Sequence, residues 1–107
     1  MVSKIFKVVI TRPAANSLKK IIDYYRRKAS PKVARKVRRN LLDETKTLER
    51  LPESKPLLPV KETSEPPYRY AKKWSFKIIF QVHKKDDTVS VIDYLHDKEN
   101  PEKWEER

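Results

Sequence analysis

Apolar and polar positions alternate through Ile5-Phe6-Lys7-Val8-Val9-Ile10, with Phe6, Val8 and Ile10 on one side of a segment dominated by β-branched residues. That period of two predicts a first strand. The period then becomes helical. Ala14, Leu18, Ile21, Ile22 and Tyr25 recur on one face, Thr11 offers a cap and Pro13 sits in the first turn, so a helix is expected to about Lys28. Ser30-Pro31 repeats the cap-then-proline signal. Ala34, Val37, Leu41, Leu48 and Leu51 then form a second stripe, and this helix is expected to end before Pro52.

Five of the eight prolines fall between Pro52 and Pro67, which forbids a regular helix and predicts an extended loop over 52–67. Tyr68 to Lys72 reads as a short strand. Trp74, Phe76, Ile78, Phe80 and Val82 then alternate with Ser75, Lys77, Ile79 and Gln81, which places Trp74 on the core-facing side of a third strand. Lys84-Lys85-Asp86-Asp87 is a polar turn built without glycine, and Val89 to Leu95 gives a last strand. The order β-α-α-β-β-β predicts an α+β fold, with a helical hairpin packed on a small, mainly antiparallel sheet. One domain over 1–107 is expected, with a charged tail at 97–107 in which Pro101 and Trp104 are the candidate anchors.

Charge narrows the range of partners. Lys and Arg number 26 against 15 acidic residues, for a formal net charge of +11, which favours encounter with nucleic acid, an acidic protein or an anionic surface. With no cysteine there is no disulfide framework and no thiolate metal site, and two histidines, His83 and His96, are too few for metal catalysis. No metal or other cofactor is expected. The alternating start of the chain lacks the apolar core of a signal peptide, and no stretch is long enough to span a bilayer, so a cytoplasmic protein is expected.

Several pieces, in this order, resemble the RelE/ParE toxin superfamily of plasmid-stabilisation and toxin–antitoxin systems. They are Val9-Ile10-Thr11, Ala14 and Leu18, Ala34, Leu48 to Pro52, Tyr68-Arg69, Phe76-Lys77-Ile78-Ile79-Phe80, Leu95-His96, and Asn100-Pro101. The resemblance implies a type II toxin silenced by a cognate antitoxin in a hetero-oligomer. It also implies one of two targets. One branch enters the ribosome and cleaves mRNA, which requires removal of a 2′-hydroxyl proton, neutralisation of the phosphorane and protonation of the leaving oxygen. The other poisons DNA gyrase and needs no catalytic constellation. An inactive relative that keeps only antitoxin binding is a third reading.

Under the nuclease reading, expected first, the resemblance assigns Arg69 and Lys77 as phosphate ligands and His96 or Tyr94 as proton-transfer groups. Arg69 is otherwise a solvated strand arginine. Lys77 stands where nuclease members commonly carry arginine, and a lysine supplies charge without the bidentate fork. His96 can exchange protons near neutrality, or it simply packs the strand end beside Tyr94. Lys32, Arg35, Lys36, Arg38 and Arg39, with Lys61 in the loop, are candidate nucleic-acid contacts; a solvated helix face is the plain alternative. Glu62 is not assigned as a base. Trp104 is a freer candidate for base stacking than Trp74.

Overall fold

The computed structural model describes residues 4–59 and 64–96. Strand β1 spans Lys7–Ile10, helix α1 Arg12–Lys28 and helix α2 Pro31–Lys46. Strands β2 (Tyr68–Lys73), β3 (Phe76–His83) and β4 (Thr88–His96) complete a four-stranded sheet of order β1-β4-β3-β2. β2–β3 and β3–β4 are antiparallel, whereas β1 lies parallel to β4 with Lys7 opposite Thr88 and Ile10 opposite Val91. The expected α+β hairpin-on-sheet arrangement is therefore observed.

Both helices begin as their caps dictate. The Ser30 hydroxyl accepts from the Val33 amide at 3.1 Å and the Thr11 hydroxyl from the Ala14 amide at 3.4 Å, in each case with a proline in the first turn. The Thr11 hydroxyl also donates to the Val91 carbonyl at 2.7 Å, tying the start of α1 to β4. α2 ends at Lys46, followed by a short 3-10 turn over Thr47–Glu49, earlier than the stripe predicts. Leu51 lies beyond that turn, in a left-handed backbone conformation (φ 49°) and 73% exposed, so it is no part of the buried stripe.

The main core lies between the hairpin and the sheet. Ala14 and Leu18 of α1 and Val37 and Leu41 of α2 meet Ala71, Phe76, Ile78, Phe80, Val82, Val89, Val91 and Tyr94 of the sheet. Burial of this set supplies the main driving force, each large side chain contributing about 1.5–3 kcal/mol. A second, smaller cluster occupies the opposite face. There Leu58, from the proline-rich segment, covers Ile79 and Leu95, with Tyr68, Tyr70 and Ile92 around them.

Between Ile79 and Phe80 the β4 partner jumps from Asp93 to Val91, a bulge that accommodates Ile92. It reverses the alternation of β4, so that Val89 and Val91 face the helices before it and Tyr94 faces them after it. Trp74 departs from its expected place. It sits in the β2–β3 turn with φ 53° and is 48% exposed, because the strand begins only at Phe76 and no glycine is available for the left-handed position.

Candidate functional site

The four residues nominated for chemistry are distributed over three environments. Arg69, on β2 opposite Phe80, projects to the helix side of the sheet near its edge. Its guanidinium donates to the Lys55 carbonyl at 2.8 Å, and an isolated bridge between Leu57 and Arg69 adds a backbone tie to the same segment. The arginine thus fastens the proline-rich segment to the sheet. It also lines a cleft of about 560 Å³ with Glu53, Glu65, His83, Lys84 and Asp86, across which Lys84 pairs with Glu53 at 3.0 Å.

Lys77 is on the other face. Its partner on β2 is Lys72, and its ammonium lies 5.5 Å from the centre of the Tyr70 ring, at the margin of the second cluster. A lysine over an aromatic face is held there electrostatically. Tyr94 is in the main core, 2% exposed, with its hydroxyl 2.8 Å from that of Thr45. Burial pushes the phenol pKa above 10.0, and the Thr45 hydrogen bond opposes that shift to a lesser degree.

His96 ends β4 opposite Phe76, and the two rings meet edge to face with centroids 5.3 Å apart. Arg69 is opposite Phe80, four residues further along the same strand. The separation of the two positions is therefore about 13 Å along the strand and about 10 Å across two strand spacings. Tyr94 and His96 share a face, as alternation predicts, but Lys77 does not share it.

The basic residues of the second helix are all on view. Lys32, Arg35, Lys36, Arg38 and Arg39 are exposed and, with Val33, line a shallow groove of about 510 Å³. A second groove of about 460 Å³ runs between the helices. Ile10, Ala15, Leu18, Ile22 and Leu42 are among its lining residues, Lys19 and Arg38 supply cations, and Arg26 is paired with Asp23 at 3.1 Å on the same rim. Lys61, Glu62 and Trp104 lie outside the described residues. His83 lines the Arg69 cleft. Among the described residues, no group of three or more His, Cys, Asp or Glu side chains could hold a metal ion, and no helix is long and apolar enough to cross a membrane.

Two participants escaped the sequence reading. Thr45 interrupts the apolar stripe of α2 at a buried position, and a lone hydroxyl on a core face is a signal for a buried polar partner. Lys55 contributes through its carbonyl, for which no side-chain signal exists.

The sequence model for the ParE toxin of the type II toxin–antitoxin system parDE matches residues 8–101. The chain belongs to the ParE toxin family. A solved chain from the chromosomal ParDE TA system of P. aeruginosa is similar to it at 22% identity and TM-score 0.71, over 88% of this chain and 98% of that one. A chain from the toxin–antitoxin complex RelBE2 of Mycobacterium tuberculosis shows 19% identity and TM-score 0.56, covering 86% and 91% respectively. No curated protein matches in sequence. As a ParE-family member the chain is a toxin of the type II class, built on the fold that both neighbours share.

Proposed function

We propose that this ParE-family toxin acts by binding and not by chemistry: held inactive by a cognate antitoxin, it arrests growth on release by trapping DNA gyrase on cleaved DNA. The observation that carries this reading is the dispersal of Arg69, Lys77, Tyr94 and His96. General acid–base catalysis requires its groups within hydrogen-bond reach of one reacting phosphate. Here Arg69 is committed to the Lys55 carbonyl, Lys77 is on the opposite face of the sheet, and Tyr94 is buried against Thr45.

The antitoxin reading is supported by the groove between the helices. Its apolar lining and flanking cations suit an amphipathic segment with acidic residues. Solved relatives come from a ParDE TA system and a RelBE2 toxin–antitoxin complex.

The test is induced expression with and without the neighbouring gene, followed by recovery of covalent gyrase–DNA complexes and mapping of mRNA 5′ ends. Trapped complexes with intact mRNA are expected. New 5′ ends within translated codons, lost in Arg69→Ala, would restore ribosome-dependent cleavage. Unimpaired growth would leave an inactive relative that binds only its antitoxin.

A further inference from the structure

Between Asp23 and Asp43 lie nineteen residues without an acid, and eight of them are Lys or Arg. Five of these, Lys32, Arg35, Lys36, Arg38 and Arg39, crowd the first half of α2. Their placement opposes two rules of helix stability. The N-terminal end of a helix carries partial positive charge and favours acids, yet the first turn of α2 has none, and Lys32 stands there instead. Like charges three or four residues apart repel, and Lys32–Arg35, Lys32–Lys36, Arg35–Arg38, Arg35–Arg39 and Lys36–Arg39 all have that spacing. No ion-pair partner for any of the five exists among the described residues. A local conflict of this kind, uncompensated among the described residues, is characteristic of a binding surface.

We infer that the exposed face of α2 around Lys32, Arg35 and Arg39 binds the phosphate backbone of duplex DNA. This goes beyond the gyrase reading, because it gives the toxin a nucleic-acid contact of its own. Three features select the occupant. Whereas the neighbouring groove between the helices offers Ile10, Ala15, Leu18, Ile22 and Leu42, the kind of side chains an amphipathic acidic peptide docks against, the groove beside these residues is lined by five cations and Val33 alone among apolar residues. No aromatic side chain lines it, and single strands are held chiefly by stacking on aromatic rings. The stripe from Lys32 to Arg39 lies along one α-helix and covers about 10 Å. A duplex presents a charge every ~1.7 Å of its axis and a major groove about 12 Å wide, which matches such a stripe.

The experiment uses the purified full chain, without gyrase, and a short fluorescent DNA duplex of mixed sequence, with anisotropy read across a salt series. Failure here therefore leaves the gyrase reading standing, and failure of that reading leaves this measurement unaffected. The Lys32→Gln/Arg35→Gln/Arg39→Gln variant is expected to keep its circular dichroism and to flatten the slope of log affinity against log salt by about 2.7, at about 0.9 per phosphate contact. A control variant of equal charge loss, Lys7→Gln/Lys46→Gln/Lys73→Gln, should bind as the parent does. Replacing Arg35 and Arg39 by lysine keeps the charges, and should keep the slope. The inference falls if the control loses as much as the stripe variant, or if the stripe variant binds unchanged. It falls equally if a single-stranded RNA or polyglutamate competes as well as the duplex.

Discussion

The hydroxyls of Tyr94 and Thr45 lie 2.8 Å apart in the seam between the last strand and the second helix. Thr45 also donates to the Leu41 carbonyl at 2.7 Å, so the pair links the sheet to the α2 backbone inside an otherwise apolar core. Thr45→Val strands the Tyr94 hydroxyl without its partner and should cost about 1–3 kcal/mol in urea unfolding, while Tyr94→Phe should cost about 1 kcal/mol. The double variant should lose less than the sum, and Tyr94→Phe should still arrest growth. Loss of arrest in a stably folded Tyr94→Phe would return the phenol to the chemistry.

The same phenol gives a pH signature. Burial raises its pKa above 10.0, so in alkali the unfolded state releases a proton more readily than the folded one. The stabilising contribution is complete below pH 10 and declines as pH climbs through the folded value. The urea midpoint should accordingly fall above pH 10, and fall less steeply in Tyr94→Phe. Parallel curves for the two proteins would contradict this assignment.

Arg69 is expected to behave as a fastener. Arg69→Ala removes the bond to the Lys55 carbonyl and should lower stability by about 1 kcal/mol, at the low end for a charged donor because the group is only partly buried. Limited proteolysis should then cut the segment before Tyr68 faster. Growth arrest should survive, in contrast to what a phosphate ligand would show.

Trp74 holds a left-handed conformation that glycine adopts without penalty, and its ring is half exposed. Trp74→Gly should therefore be close to neutral, within about 1 kcal/mol of the parent. Phe80→Ala, in the core, should cost about 3–5 kcal/mol. Comparable losses at the two positions would place Trp74 back in the core.

Element order was legible in the sequence because the period switches cleanly at Thr11 and again after the prolines, and because Thr11 and Ser30 act as the caps they resemble. The candidate site was much less so. Alternation placed Lys77 correctly opposite Phe76 and Ile78, but which face Arg69 shares depends on the β2–β3 register, and that is set by the turn at Trp74. The bulge at Ile92 carries no glycine or proline to announce it, yet it decides that Tyr94 enters the core. Leu51 matched the helical stripe in spacing alone, since nothing in its own chemistry marks where α2 gives way to the 3-10 turn.

The parallel pairing of β1 with β4 joins the first described strand to the last, and the Thr11 hydroxyl reaches a carbonyl 80 residues away. Such a ladder closes a long loop, a slow step in folding, and it cannot start until Thr88–Val91 has been synthesised. A chain lacking β4 therefore keeps the capping residues of both helices but has no strand for β1 to pair with. β1 and the start of α1 are therefore seated on the sheet only after β4 is in place.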